Sequence, residues 1–288
     1  MHQLTLFHYE PHVKPVNVAT VPMRSPFRYP GGKTWFVPYI RKWLKSFGED
    51  LELIEPFAGG GIISLTAAFE NLAKNIVMVE KDEDIAAVWR TILGGQGKWL
   101  AEQIINFEIN PKNIKAVMNK PPESLRDRAF ITMLKNRLHH GGILANGAGL
   151  IKNGENGKGL MSRWYPATLK KRIMDITTVR NKIKFIQGDG LEIIEKNLNR
   201  DDVIFFIDPP YTKAGRRLYK YHEIDHEKLF DLVGHINGDF LITYDDAPEI
   251  EALALQRGFV VEKVLMKTTH HLKKYELVIS RHLEWLRD

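Results

Sequence analysis

Cysteine is missing from all 288 residues. That excludes disulfides, zinc–thiolate centres and a cysteine nucleophile. No stretch approaches the roughly 18 consecutive apolar residues of a membrane span, so no membrane partner is expected. The N-terminal sequence MHQLTLFHYEPHVKPV has neither the apolar core nor the small-residue cleavage site of a secretory signal. A cytoplasmic setting fits these absences. Internal repeats and low-complexity segments are lacking too. No glycine-rich loop ends in Lys-Ser/Thr and none reads GxGxxG, so neither familiar phosphate-binding signature is present. No nuclease motif is apparent.

What remains is an ordinary globular composition, 44% hydrophobic and 26% charged, of a length that suits one large domain or a domain with a sizeable insertion. The balance is basic, with 41 Lys and Arg against 35 Asp and Glu and a net charge of +6. This permits a polyanionic partner. The basic residues cluster: Lys152, Lys158, Arg163, Lys170, Lys171 and Arg172 form one group, and Lys213, Arg216, Arg217 and Lys220 another.

Strand and helix patterns alternate in two blocks. Residues 51–57 read as a strand, followed by Ala58-Gly59-Gly60-Gly61 and a helix from Ile62 to about Ala73. Residues 75–80 are a second strand, and a helix from about Asp84 to Leu93 stops at Gly94-Gly95. The alternation resumes at 182–186 and continues through strands at 203–207 and 240–244, with helices at 191–197, 225–236 and 248–256. A closing pair of strands, 259–266 and 275–281, has the look of a hairpin at a sheet edge. Such alternation signals an α/β fold with a mainly parallel, doubly wound sheet. Residues 98–180 interrupt it with a helical, loop-rich stretch and are read as an inserted domain. Residues 1–22, rich in Pro and His, are read as an arm. The main domain is then 23–97 together with 181–288.

The most informative segment is Phe205-Phe206-Ile207-Asp208-Pro209-Pro210-Tyr211. A buried strand ends in an acid, two prolines that cannot donate backbone hydrogen bonds, and an aromatic. Ligands bind at the carboxyl edge of open α/β sheets. The chemistry suits a weakly nucleophilic exocyclic amine on a planar base. Asp208 and the Pro209 carbonyl can accept its two N–H bonds as positive charge grows on nitrogen, and Tyr211 can stack on the ring. The alternative is a strand end followed by a simple Pro-Pro turn.

Three further strand ends carry acids. Glu55 precedes the glycine turn and suits the ammonium of an amino-acid moiety. Glu80 suits the two hydroxyls of a ribose or is simply a solvated strand end. Asp189, between two glycines, suits an adenine amino group or simply a turn. Together they describe a nucleoside with a cationic amino-acid tail, which points to S-adenosylmethionine. The segment Phe27-Arg28-Tyr29-Pro30-Gly31-Gly32-Lys33 reads as a Pro-Gly turn opening a helix. Within it Lys33 can reach a carboxylate and Tyr29 can line a cofactor or base pocket.

The order Phe-Arg-Tyr-Pro-Gly-Gly-Lys, Glu-Pro-Phe-Ala-Gly-Gly-Gly, insert, Asp-Pro-Pro-Tyr resembles the Dam-type (D12 class, alpha group) DNA adenine-N6 methyltransferases, over roughly residues 24–281. The resemblance implies a Rossmann-like sheet of seven strands, the last antiparallel, and a helical target-recognition insert. By motif it implies Tyr29, Lys33, Phe57, Ala58, Gly59 and Gly60 as cofactor-binding residues, with Glu55, Glu80 and Asp189 at the acidic positions. Asp208 borders both cofactor and base, and Asp208, Pro209, Pro210 and Tyr211 are catalytic. Glu55 and Glu80 stand where the family often has Asp.

The implied reaction is direct methyl transfer to N6 of an adenine flipped out of double-stranded DNA. Candidate DNA contacts are Asn136, Arg137, His139 and His140, then Lys152, Lys158 and Arg163, and after the catalytic motif Lys213, Arg216 and Arg217. Arg and Asn can read base edges, and Lys can hold phosphates. The adjacent histidines, His139-His140 and His270-His271, are read as polar contacts and not as metal ligands. No recognition sequence follows. The alternatives are N4-cytosine methylation of DNA, N6-adenine methylation of RNA, or a catalytically silent nucleic-acid-binding module. Any restriction activity would come from a separate cognate restriction enzyme, and a monomer suffices to modify one base per encounter.

Overall fold

The computed structural model describes residues 20–145, 147–154, 157–212, 215–267 and 273–287. Seven strands form one sheet: β1 Glu52–Glu55, β2 Asn75–Glu80, β3 Ile183–Gln187, β4 Val203–Ile207, β5 Asp239–Asp245, β6 Val260–Lys267 and β7 Lys273–Ser280. Their order is β3-β2-β1-β4-β5-β7-β6. β1 to β5 pair in parallel, and β7 runs antiparallel between β5 and β6. The apolar run of β4 is buried at every position, as a central strand covered on both faces must be. From β1 the chain winds outward through β2 to β3, and from β4 it winds the other way. This reversal leaves a crevice at the carboxyl ends of β1 and β4.

Helix α1 (Val37–Lys45) opens at Pro38. Helix α2 (Ile62–Glu70) follows Gly61, whose φ of 63° lets the chain turn sharply out of the glycine run. Helix α3 (Glu83–Thr91) is capped by the Asp82 side chain, which accepts from the Asp84 N–H. The expected stop at Gly94-Gly95 is replaced by a π-helical turn, Ile92–Gln96, with Gly95 at φ 89°. The chain then runs on into α4 (Gly97–Asn106), because glycine absorbs the kink without ending the helical path. A Cβ on Gly97 would lie 2.6 Å from the Thr177 side chain, so only glycine lets these backbones approach so closely.

The interrupting segment adds α5 (Pro111–Met118), α6 (Leu125–Leu138) and α7 (Pro166–Val179). Its Leu100, Ile104, Phe130, Leu134, Trp164 and Ile173 join the same buried cluster as Leu53, Ile63 and Trp89 beneath the sheet. The opposite face is covered by α8 (Gly190–Lys196), α10 (His226–Gly234) and α11 (Pro248–Gln256), with the short α9 (Gly215–Leu218) following the Asp208–Tyr211 segment. Among the described residues no helix is long and apolar enough to cross a membrane. His270 and His271 lie outside the described residues, as does most of the N-terminal arm.

Candidate active site

A cavity of about 270 Å³ opens at the carboxyl ends of β1 to β4. The parallel strands aim their terminal side chains there, so residues far apart in sequence meet. Glu55, Phe57, Ala58 and Gly60 come from the β1 turn, Glu80 from β2, Asp189 from β3, and Asp208, Pro209 and Pro210 from β4. Tyr29 and Lys33 close one side. Gly59 lies against the Tyr29 ring, which a Cβ there would meet at 2.5 Å.

The acids of the first half are held by backbone and neighbouring side chains. Glu55 is buried and accepts from the Ser64 N–H at 3.0 Å and from the Ser64 hydroxyl. Burial pushes its carboxyl up to about 8, against the opposing pull of those hydrogen bonds. The two Glu80 oxygens accept from the Gly59 N–H at 2.9 Å and the Asp82 N–H at 2.8 Å, and burial raises this carboxyl to about 7. Asp189 caps α8 through the Leu191 N–H at 2.9 Å and pairs with Lys81 at 2.8 Å. Burial works against its charge, but these donors hold it below the usual carboxylate range.

This donor set fits a ligand with hydroxyls and a positive charge. It does not fit a phosphate. One first-turn N–H of α2, that of Ser64, is taken by the Glu55 carboxyl, whose negative charge at this helix start opposes an anion.

The second half centres on Lys33, which is buried. Its Nζ lies 2.8 Å from Asp208 Oδ1, 2.7 Å from the Tyr211 hydroxyl and 3.4 Å from Glu276 Oε2. Burial disfavours the ammonium, but Asp208 and Glu276 overcome it and hold Lys33 charged above its ordinary range. Asp208 Oδ1 also accepts from Thr243 Oγ1 at 2.9 Å. The Asp208 carboxyl is raised by burial, against the pull of Lys33.

Lys33 reaches carboxylates as expected, whereas the expected open face of Tyr211 is changed by the geometry. Lys33 sits among Asp208, Tyr211 and Glu276, so its charge is already matched by the chain's own carboxylates. Tyr211 is only 4% exposed and does not line the cavity. Its hydroxyl accepts from Lys33 and donates to Glu276 at 2.8 Å, and this fixes the ring inside the wall. The aromatics on the wall are Tyr29 and Tyr219, stacked with ring centres 5.8 Å apart, and Tyr221.

The expected DNA contacts divide. Asn136 is fully buried. Its side chain accepts from the Arg28 N–H and donates to the Arg28 and Gly142 carbonyls, each at 2.8 Å. Arg137 is 4% exposed and donates to the Pro26 carbonyl. Neither presents an edge to a DNA groove in this structure, because each satisfies buried backbone groups at the turn entering the cavity. His139 is half-buried, its Nδ1 3.1 Å from the Ile143 carbonyl, and burial lowers its imidazole. His140, Lys152, Lys158, Arg216 and Arg217 are exposed and Arg163 is partly so. Lys213 lies outside the described residues. No group of three or more His, Asp or Glu among the described residues is placed to hold a metal ion.

Sequence reasoning did not single out Glu276, Thr243, Ser64 or Tyr219. A signal existed for Glu276: it is a lone acid in a strand otherwise apolar from Leu277 to Ile279, and it faces Asp245 directly across the β5–β7 pair. Two acids opposite one another in a buried sheet need a cation nearby.

Residues 29–92 match the model of a family described as D12 class N6 adenine-specific DNA methyltransferase. A protein of Escherichia phage P1, described as DNA N-6-adenine-methyltransferase, is 28% identical over 261 residues. These are 85% of this chain and 33% of that protein, so the chain spans about a third of the length of the curated relative it matches. Among solved structures, a SAM-dependent methyltransferase from Agrobacterium tumefaciens gives a TM-score of 0.42 at 11% identity, over 86% of this chain and 60% of the other. An RNA methyltransferase, so described, from Pyrococcus horikoshii gives 0.42 at 13% identity, over 91% and 92%. Over residues 29–92, which hold the Tyr29–Lys33 turn, the glycine turn and Glu80, the chain is therefore similar to the D12 class N6 adenine-specific DNA methyltransferases.

Proposed function

We propose that the protein methylates the N6 amine of adenine in double-stranded DNA, with S-adenosylmethionine as the methyl donor. One observation carries the reading: Asp208 and the Pro209-Pro210 turn face the same cavity as Glu55 and Glu80. A carboxylate suited to an exocyclic amine thus adjoins acids suited to a hydroxylated, cationic nucleoside. The match to the D12 family model supports adenine as the base.

S-adenosylmethionine supplies, when bound, an electrophilic methyl group. Glu80 is held by two backbone N–H groups in an orientation that leaves lone pairs for the ribose hydroxyls, and Glu55 provides negative charge for the ammonium. Phe57, Ala58, Gly59 and Gly60 shape the wall, and Gly59 and Gly60 let Tyr29 close against the turn. Asp189, tied to Lys81, stands where an adenine amino group can meet it.

Asp208 and the Pro209 carbonyl accept the two N–H bonds of the target amine. This directs the nitrogen lone pair and stabilises the positive charge that grows as it forms its new bond. Lys33 and Thr243 hold Asp208 by one oxygen. Pro210 stiffens the turn, and Tyr211 anchors it through Lys33 and Glu276. The target adenine leaves the duplex to reach the cavity, where Tyr29 or Tyr219 offers an aromatic face. His140, Lys152, Lys158, Arg163, Arg216 and Arg217 are the candidates for holding the duplex. The activity would serve in the cytoplasm, as a monomer acting at a specific sequence, with any cognate restriction enzyme on another chain.

The test is transfer of labelled methyl from S-adenosylmethionine to unmethylated genomic DNA and to total RNA, followed by nucleoside mass spectrometry. N6-methyladenine in DNA is expected. N4-methylcytosine would change the base, label confined to RNA would overturn the polymer, and cofactor binding without transfer would favour a silent binding module.

A further inference from the structure

Tyr29, Phe57, Tyr219 and Tyr221 bring aromatic rings to the cavity, and they differ in what already covers them. Phe57 lies toward the β3 side, where a Cβ on Gly190 would meet its ring at 2.8 Å. The Tyr29 ring has Tyr219 stacked on one face, with centres 5.8 Å apart and planes 24° from parallel. It also packs so closely on the glycine turn that a Cβ on Gly59 would meet it at 2.5 Å. Tyr221 is exposed and held on the β2 side. Its hydroxyl donates to Glu83 at 3.2 Å, and the ammonium groups of Lys81 and Lys220 lie 5.6 and 5.7 Å from its ring centre. Tyr211 stands in the wall with its hydroxyl bound on both sides.

Tyr219 is the partly exposed ring nearest the end of β4, and Tyr29 covers one of its faces. Its place is fixed from both ends. The backbone N–H donates to the Gly215 carbonyl at 2.9 Å, continuing α9, and the hydroxyl donates to the Pro30 carbonyl at 3.0 Å. The next two residues, Lys220 and Tyr221, both bond to Glu83 at the start of α3. The segment is thereby fastened across the cavity from the β4 side to the β2 side. The point that a Cβ on Gly31 would occupy lies 2.9 Å from the Tyr219 hydroxyl and 3.4 Å from the Tyr211 hydroxyl. The Tyr211 hydroxyl in turn shares Lys33 with Asp208. Tyr219 therefore stands beside the carboxylate that would hold the target amine. A ring already held in place loses little freedom when a base lies on it.

We propose that Tyr219, and not Tyr211, is the ring on which the target base stacks once it has left the duplex. This role rests on the adenine-methylation reading given above and adds to it the residue that retains the base. The base lies on Tyr219 while Asp208 and the Pro209 carbonyl take its amine. Tyr29 backs the ring from behind, and Glu83 is a positioning residue that acts through Lys220 and Tyr221. Stacking tolerates any base, so Tyr219 retains the base and leaves its selection to the groups that meet its polar edge.

The test is a cycle between side chain and base. Wild type, Tyr219→Leu, Tyr219→Phe and Glu83→Ala are titrated with a duplex containing the adenine that wild type methylates, and with the same duplex abasic at that position. Saturating S-adenosylhomocysteine is present throughout, so altered cofactor affinity does not enter. Tyr219→Leu should bind the adenine duplex roughly ten- to a hundredfold more weakly than wild type, and the abasic duplex equally well. Tyr219→Phe keeps the ring and should lose at most a few-fold, the share of the hydroxyl's bond to Pro30. With 2-aminopurine at the target position, whose fluorescence is quenched by stacking, the Tyr219→Leu complex should be several-fold brighter than the wild-type complex, with Glu83→Ala between them.

Equal losses on the adenine and abasic duplexes would make Tyr219 a structural residue and overturn the proposal. So would the absence of any loss, or a Tyr219→Leu complex no brighter than wild type. Should Tyr219→Leu fail to fold, Glu83→Ala carries the same comparison: a loss confined to the adenine duplex supports the stacking role, and a loss on both or on neither overturns it. If wild type methylates DNA while the variants follow its pattern, the stacking role alone falls. If wild type neither binds nor methylates DNA, the proposed function falls and the stacking role with it.

Discussion

At the residue scale, the carboxylates of the cavity differ in the state their surroundings impose. Glu55 and Glu80, raised to about 8 and about 7, hold protons near neutral pH when no cation is present. A cationic ligand favours their ionised forms. Affinity for S-adenosylhomocysteine should therefore rise between about pH 6 and pH 8, with protons released on binding at the lower pH, and Glu55→Gln should flatten the rise. Calorimetry in buffers of different ionisation enthalpy measures both. Asp208 keeps its task through Lys33 and Thr243. Asp208→Ala should lower transfer at least about a hundred- to a thousandfold while leaving cofactor binding largely intact; full activity would sink the assignment. Glu276→Gln removes one of two counter-charges from Lys33. It should lower kcat about tenfold, with little change in the cofactor's KM, and shift the acid limb of the pH–rate profile. A purely structural Glu276 would change stability and leave that limb in place.

At the element scale, the parallel strands were legible because each is a short apolar run between polar or glycine-rich ends, and β2 spans 75–80 as expected. The hairpin of β6 and β7 was legible from the same pattern. The interrupting segment was legible as helical and loop-rich, but the roles of its polar residues were not, and α6 (Leu125–Leu138) shows why. Apolar residues surround it with little preference for one side, and its polar Asn136 and Arg137 are buried. Polarity was read as exposure, but here it serves backbone groups of the 25–28 and 142 segments that have no partner of their own. Asn136→Ala would leave three such groups unpaired and should destabilise the protein by about 3 kcal/mol in denaturant unfolding. Tyr211 misled for a related reason, since its place in the motif suggested an open ring face while its hydroxyl is bound on both sides. The glycine turn makes a sharper demand. Gly59 has φ 47° and an alanine methyl would meet the Tyr29 ring at 2.5 Å. Gly59→Ala should cost roughly 1–3 kcal/mol and weaken cofactor binding more than tenfold, because the ring must leave its place. Thermal melting with and without cofactor separates the two effects.

At the scale of the whole molecule, burying ionisable groups couples stability to pH. A carboxyl whose folded pKa lies above its unfolded value favours folding at low pH and loses that contribution as pH rises through the folded value. For Glu55 and Glu80 the window runs from the ordinary carboxylate range to about 8. The cofactor-free protein should lose melting temperature between about pH 4.5 and pH 8 relative to Glu55→Gln, and the protection given by cofactor should grow toward the upper end of that interval. The Asn136 bridge also bears on how such a molecule can change. It fastens the end of α6 to the turn that carries Tyr29 and Lys33, across 108 residues of sequence. The interrupting helices are thus not a cassette that can be exchanged freely. A chimera that imports a foreign segment at 98–180 without an asparagine at this place would disturb the cavity it was meant to leave alone. Changes that spare the cavity would then arise more readily by substitution on the exposed loops than by transplanting the segment whole.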